Sequence, residues 1–486
     1  MSGGYLTDVS YVRGFQPELV PGELRAVAAL NGFTPPPSTR FSYCELGCGF
    51  GDTLIALAAA NPGSSFVGID LAADHIAVAR ETARMGGVTN VTFLEQDFSS
   101  AAGGPFDYVA AHGVFSWVGP EVRMALVDFA TRCLRPGGLL YISYNAMPAW
   151  AAVVPLRRLL NAAGGTTSLE RAERGVALAR KLAASHFFGD NPFARKALEM
   201  IERSGLSYVA HEFLNDYWTP LYFADVARLM HESGLPYVGS LPLFSNYREL
   251  VLPAGSGIET PDRIEYESLK DYALNTSFRR DVFAFRPAAR SPAHTQEWLS
   301  TTTFALRERD DGKREAVLGR NEIALELTDC DQALARLGEG SASGLDPHVA
   351  LRLLVAKKIV EVGAPTRSFD PAGTSRYTIP LAYNRAVLER PYSTQLPTLL
   401  AAPATGGAIR IDPAEAVAIR LLGEVAPDDR DAYLAAQFGK PGIEMKIDDR
   451  VLDAPEERIG AIREAVEAAE KKLVATFVEL GILAPA

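Results

Sequence analysis

Cysteine is almost missing from this chain: there are four in 486 residues. Cys44, Cys48, Cys133 and Cys330 are too few and too scattered for a disulfide framework or a zinc site. Cys44 and Cys48 flank a turn, where small buried residues are expected. Positive charge is also short, with 48 Lys and Arg against 59 Asp and Glu and a net charge of -11. That balance argues against a broad nucleic-acid-binding face, which needs clustered cations. No uninterrupted apolar run reaches the length of a bilayer span. The amino terminus, "MSGGYLTDVSY", shows neither the basic leader nor the apolar core of a secretory signal, so a cytoplasmic protein is expected. Internal repeats and long low-complexity tracts are lacking too. What remains, 48% hydrophobic and 22% charged residues, is the composition of a folded globular chain long enough for two or three domains.

Between Phe41 and Asn145, β-rich runs alternate with helical stretches. Strands are expected at 41–47, 65–70, 91–97, 106–113 and 137–145, with helices near 52–60, 73–86 and 119–134. Apolar strands spaced by helices imply an α/β fold with a parallel sheet covered on both faces, and such sheets bind ligands at the carboxyl ends of their strands. After Asn145 a long helical region follows, then "FADVARLMHESGLPYVGSLPL", a helix and a strand, and "NYRELVLPA", read as a further strand. These last two strands would close the sheet, leaving 146–218 as a helical lid inserted over the ligand end. The punctuated stretch "PAGSGIETPDR" (253–263) marks a boundary. The expected domains are therefore a segment 1–40 closing over the site, a sheet domain of 41–145 and 219–255, the 146–218 insertion, and a mainly helical domain of 256–486. Within the last, "DPHVALRLLVAKKIVEVG" reads as a compact helical module, winged-helix-like if "SRYTIPL" forms its wing, and 454–480 as an amphipathic helix. The absence of a convergent catalytic set there suggests binding, regulation or homodimerisation.

The glycines of "YCELGCGFGDT" (43–53) fall where a strand would turn into a helix, at the ligand end of the sheet. Their spacing, Gly47, Gly49 and Gly51, is not the G-x-G-x-x-G of a dinucleotide site: Asp52 or Leu54 takes the third glycine's place. Asp52 at a helix amino terminus, with Glu45 before the turn, opposes a diphosphate and favours a cation. Asp70, ending the second strand, suits the two hydroxyls of a ribose, and Gln96, Asp97 and Phe98 suit an adenine. S-adenosylmethionine, a nucleoside with an ammonium, a sulfonium and no phosphate, fits this set.

"ELGCGFG", "GID", "EQDF", "FDYVAAHGVFSWV" and "LRPGGLLYISYNAMPAW" together resemble the motif series of the class I S-adenosylmethionine-dependent methyltransferases. More narrowly, "AHGVFSWV", "YNAMPAW", "YVAHEFLNDYWTPLYFADVARLM", "TSFRRDVFAF", "YVRGFQPEL" and "ALNGFTPP" resemble bacterial methyltransferases with a methyltransferase regulatory domain. That group includes the rickettsial-type protein lysine methyltransferases. The likeness covers residues 5–290 and implies a Rossmann-like methyltransferase sheet. It implies that Glu45, Gly47, Gly49 and Gly51 frame the donor's methionine end, that Asp70 binds the ribose, that Asp97 and Phe98 hold the adenine, with Leu71 and Gln96 as further donor contacts, and that His112 stands below the sulfonium. Tyr11 would close over the donor. Ala111, His112, Gly113 and Val114 replace the Asp/Asn-Pro-Pro-aromatic motif of adenine and glutamine-amide methyltransferases.

For the acceptor, His112 is a candidate base, since histidine changes charge near neutral pH, and equally a structural or donor-contacting residue. Tyr144 and Asn145 end the fifth strand and are candidates for hydrogen-bonding an amine or hydroxyl. "HEFLNDYW" starts like a zinc site, but Asn215 stands in the second histidine's place, so no metal is expected. Trp117, His211, Glu212, Asp216, Tyr217 and Trp218 form instead an acidic and aromatic set suited to a cationic amine, or a lid core. The sequence thus points to methyl transfer onto a protein lysine. A saccharide or metabolite N- or O-methyltransferase and a non-catalytic donor-binding regulator stay open, and a DNA methyltransferase fits least.

Overall fold

The computed structural model describes residues 13–184, 192–203, 205–253, 255–307, 312–363, 369, 374, 376–390, 398–439, 445–447, 450–452 and 454–486. Its centre is a seven-stranded sheet of β1 (Ser42–Leu46), β2 (Ser65–Asp70), β3 (Val91–Glu95), β4 (Phe106–Ala111), β5 (Leu134–Asn145), β6 (Tyr237–Ser240) and β7 (Phe278–Ala284). The spatial order is β3-β2-β1-β4-β5-β7-β6. β1 to β5 pair in parallel, while β7 runs antiparallel between β5 and β6. The five leading strands fall close to where apolar patterning places them. One strand does not: the stretch expected as a strand at 246–254, whose last residue lies outside the described ones, forms a 3-10 turn at Arg248–Leu250 instead. β7 takes its place, drawn from beyond the Pro/Gly stretch read as the boundary, so the sheet domain reaches past 255. A Pro in "VLP" and the polar "NYRE" give that stretch little period-2 patterning, whereas "FRRDVFA" is buried along nearly its whole length.

The helices preceding the insertion are α1 (Pro21–Leu30), α2 (Asp52–Ala60), α3 (Ala73–Met85) and α4 (Pro120–Cys133). Strand alternation sorts the sheet's side chains into two cores. Tyr43, Tyr108 and Tyr141 share one core with α1, α2 and much of the carboxyl-terminal region, while Cys44, Leu46, Val109, Leu140, Ile142 and Tyr144 share the other with α4. The first core is continuous into Leu400, Ala401 and Ile411, so the carboxyl-terminal region is packed onto the sheet domain. A buried ion pair fastens the two, Arg25 Nε to Glu361 Oε2 at 2.9 Å.

The insertion is α5 (Val154–Ala162), α6 (Ser168–Ala183), α7 (Pro192–Arg203) and α8 (Leu206–Phe213), with its own core around Leu156, Leu160, Val176, Val209 and Phe213. It leaves from the end of β5 and returns there: Leu221 N donates to Asn145 O at 2.9 Å and Thr219 N to Ser116 O at 2.8 Å. α9 (Phe223–Glu232) and α10 (Arg263–Leu274) flank β6. The carboxyl-terminal region is helical with short paired strands. Its Tyr377–Thr378 segment, expected as a wing, pairs with Ala484–Pro485 near the chain's end. No helix among the described residues is long and apolar enough to cross a membrane.

Candidate active site

The turn after β1 needs glycine for two physical reasons. Gly47, Gly49 and Gly51 all have left-handed φ, at 72°, 52° and 71°, where a side chain is strained. A Cβ at Gly47 would also lie 2.5 Å from Val114 Cγ2, and one at Gly51 2.7 Å from the Phe93 ring. At Gly49 a Cβ would meet nothing within 4 Å, so the middle of the turn opens on free space.

Glu45 stands behind this cradle, 6% exposed, and its Oε2 is a buried oxygen with no hydrogen-bond partner among the described residues. Burial, then the charges of Asp70 and Asp52, push its carboxyl up to about 8. A buried carboxyl group without a partner stays protonated until a cation arrives to offset its charge. Asp70 is held for use: its Oδ2 accepts from Gly49 N at 2.8 Å and its Oδ1 from Ala72 N at 2.9 Å. Each oxygen keeps a lone pair for a ribose hydroxyl. Leu71 is 54% exposed beside it, an apolar face open to cover a base. Gln96 is exposed, and its N donates to Asp70 O at 3.1 Å. Hydrogen bonds from Ser99 hold the Asp97 carboxyl below its ordinary range. Phe98 belongs to the core with Leu46 and Ile69. An unpartnered carboxylate, an open glycine cradle and a pre-set ribose carboxylate thus fit S-adenosylmethionine, ammonium, sugar and base.

Asp52 does not act as a free negative charge. Arg13 grips it through both carboxylate oxygens, Nε to Oδ2 at 2.9 Å, with the guanidinium 5.1 Å from the Phe50 ring centroid. The segment before η-turn Pro17–Leu19 therefore does reach the donor loop, though Tyr11 lies outside the described residues. His75 packs against Phe50, ring centroids 4.2 Å apart and tilted by 50°, and sits 3.9 Å from Asp70 Oδ1. Arg13, Phe50 and His75 were not legible as site residues; only Phe50, between two of the glycines, carried a local signal.

A chain of contacts leads from the cradle to the end of β5. Val114 packs on Gly47, Gly113 N donates to Ser143 Oγ at 2.8 Å, and Asn145 N donates to Ser116 Oγ at 2.9 Å. Asn145 Nδ2 then donates to Glu212 Oε1 at 3.1 Å. Burial raises the Glu212 carboxyl to about 7, against the opposing pull of Asn145 and Trp218. Trp218, 8% exposed, meets Trp150 edge-on at 5.1 Å, and Trp117 is 9% exposed. Of the acceptor-side residues, Asn145, Glu212 and Trp218 are thus brought together. His211 is buried, while Asp216 and Tyr217 face solvent.

Two expected catalytic residues are corrected. Tyr144 points to the opposite face of the sheet, wholly buried, and its hydroxyl donates to Asp281 Oδ2 at 2.6 Å. There it joins Arg279, which pairs with Asp281, Asp271 and Glu267 at 2.8–2.9 Å. Strand alternation accounts for this: Asn145 and Tyr144 cannot both face the donor side. His112 does lie on the donor side, its Nδ1 2.9 Å from Tyr141 Oη. Burial and then Arg280 lower its pKa to about 4, so it is neutral at physiological pH and too weak a base for the role its residue type suggested.

This fold and site define the class I methyltransferases. Residues 44–140 match a family model described as "Methyltransferase domain", and 206–284 one described as "Predicted methyltransferase regulatory domain". An uncharacterised protein of Synechocystis is 33% identical over 315 residues, covering 62% of this chain and 62% of that protein. An uncharacterised Rickettsia prowazekii protein is 30% identical over 213 residues, 42% of this chain and 84% of that one. PKMT2 from Rickettsia typhi, solved in complex with AdoHcy, shares the fold over 97% of this chain and 99% of that one, with a TM-score of 0.70 and 17% identity. The chain belongs to the class I S-adenosylmethionine-dependent methyltransferases that carry a methyltransferase regulatory domain.

Proposed function

We propose that the protein transfers a methyl group to the side-chain amine of a protein lysine. The carrying observation is the Asn145–Glu212 pair, a buried amide and a half-buried carboxyl group between the donor cradle and the Trp150–Trp218 corner. A carboxylate beside aromatic rings attracts an alkylammonium by charge and by ring quadrupole. The likeness of the sequence motifs to rickettsial-type protein lysine methyltransferases supports the same acceptor.

Bound at the cradle, S-adenosylmethionine supplies a methyl group on a sulfonium that leaves as a neutral thioether. Glu45 meets the ammonium, Asp70 the ribose hydroxyls, and Leu71 covers the base. Glu212 and Asn145 orient the acceptor nitrogen, Asn145 through its amide oxygen. The insertion and the Arg13–Asp52 clasp exclude water. Alignment and desolvation are the main contributions such a reaction asks of a protein.

Incubating the full chain with donor labelled in the methyl group and a bacterial extract, then separating protein from small molecules, tests this. Label in the protein fraction, released by acid hydrolysis as N-methyl-lysine, is expected. Label confined to small molecules would refute a protein acceptor.

A further inference from the structure

The acceptor reading leaves one chemical demand unmet. A lysine side chain is protonated at neutral pH, with a pKa of about 10.4, and an ammonium has no lone pair with which to take a methyl group. His112, held neutral and weakly basic, does not meet the demand. Tyr144, the other titratable candidate, is on the wrong face and already donates to Asp281.

Resting on the lysine reading, we propose that Glu212 is the proton acceptor of the reaction, presented to the acceptor nitrogen by Asn145. Three observations place it there. Its Oε1 is held by an amide on the last residue of β5, two positions along the same strand face from Ser143, which binds the loop against the donor cradle. It comes from α8, so the insertion that returns to the end of β5 also delivers the base. It is half-buried beside Trp218 and Trp150 and forms no ion pair among the described residues, so its charge is left for an incoming cation.

The charged and titratable groups on the surrounding elements are otherwise engaged or solvent-facing. On α5, Arg157 donates to Asn215 O and lies over the Trp218 ring at 5.1 Å. On α6, Arg171 donates to Asn161 Oδ1 at 3.1 Å, and Glu170 turns to Thr166. Asp216 and Tyr217 are exposed, His211 is buried on α8 itself, and His112 is bonded to Tyr141. None of these is a cause of the elevated Glu212 pKa. Near 7, that pKa is close to the optimum for a base working at neutral pH.

In the step itself, an N–H bond of the lysine ammonium breaks and its electron pair stays on nitrogen. The proton forms an O–H bond on Glu212, which becomes a neutral carboxylic acid. The amine can then take the methyl, and the acid returns its proton to solvent before the next turnover.

The test compares Glu212→Gln with the parent chain, reading the initial rate of N-methyl-lysine formation in a fixed bacterial protein extract between pH 6 and 10, and S-adenosylhomocysteine affinity by calorimetry. The parent rate should rise to a plateau above about pH 7. The Gln variant should bind S-adenosylhomocysteine within threefold of the parent, lose at least 100-fold in rate at pH 7, and regain about tenfold per pH unit as free amine forms in solution. Glu212→Asp, which keeps a carboxylate, should recover part of the loss. A Gln variant within threefold of the parent rate at pH 7 would overturn the assignment. If that variant fails to fold, the parent profile still decides: a rate climbing tenfold per unit through pH 9 means no internal base. A parent chain that makes no N-methyl-lysine at any pH would remove the lysine reading itself, and this inference with it.

Discussion

With Glu45 facing the donor's ammonium, as proposed, donor binding is a proton-linked event. The perturbation is Glu45→Gln, which keeps the shape and removes the charge. In the parent protein without donor, burial and two neighbouring carboxylates raise Glu45 to about 8. An elevated acid pKa means that the folded state holds a proton which the unfolded chain, at about 4.5, has already lost. Stability attributable to this group is therefore full below about pH 4.5, falls as pH rises toward 8, and is level above it. Donor binding reverses the preference, because the ammonium needs the ionised form. At pH 7 a group with a pKa of about 8 costs about 1.4 kcal/mol to ionise, close to tenfold in affinity. Calorimetric titration with S-adenosylmethionine at pH 6, 7, 8 and 9, in buffers of different ionisation enthalpy, reads both affinity and protons released. Affinity should strengthen about tenfold per unit from pH 6 to 8 and flatten above, with close to one proton released at pH 7. The Gln variant should bind weakly, release none, and lack the fall in melting temperature between pH 5 and 8. Affinity flat from pH 6 to 8 with no proton release in the parent would refute the reasoning.

The remaining predictions separate cradle, clasp and scaffold. Gly51→Ala should lower stability more than Gly49→Ala, because its Cβ runs into Phe93 and Ala79 whereas that of Gly49 meets open space; both should lose donor binding, read by melting temperature alongside calorimetry. Arg13→Ala should leave the fold intact and weaken donor affinity a fewfold, about 1 kcal/mol for a half-buried ion pair on a closing segment. Arg279→Met leaves Asp281 and Asp271 without their ion-pair partner in the core, while Glu267 keeps Lys270 at 2.7 Å, and should cost about 3–5 kcal/mol in denaturant unfolding. Tyr144→Phe should cost about 1–3 kcal/mol by the same measurement while methyl transfer stays within twofold, the reverse of what a catalytic tyrosine would show.

The donor half of the site was legible because its chemistry is local. A strand, three glycines at every second position and an acid at the next strand's end all lie within 28 residues, 43–70, and each has a backbone or charge reason to be where it is. The acceptor half depends on which residues of a distant insertion return to β5. The sequence named Asn145 and Glu212 but had no means of pairing them, since 67 residues separate the two. Tyr144 illustrates a different limit. Its position in the chain was right, but its side of the sheet is set by strand alternation, and its partner Asp281 comes from a strand that patterning placed outside the domain. His112 shows that residue type alone does not give a pKa: the same imidazole is a neutral-pH switch in water and a weak base when buried beside Arg280. Asp52, read as a free anion at a helix start, was answered by Arg13, 39 residues earlier in the chain.

The amine of a protein lysine is the proposed methyl acceptor. It is tested by mass spectrometry of a bacterial extract, digested after incubation with this chain and donor carrying a deuterated methyl, with Asp70→Ala, expected to lose the ribose contact, as the control. Deuterated methyl on lysine side chains is expected in the parent sample and none in the control. Deuterated methyl on any other residue type, or on small molecules alone, would contradict it.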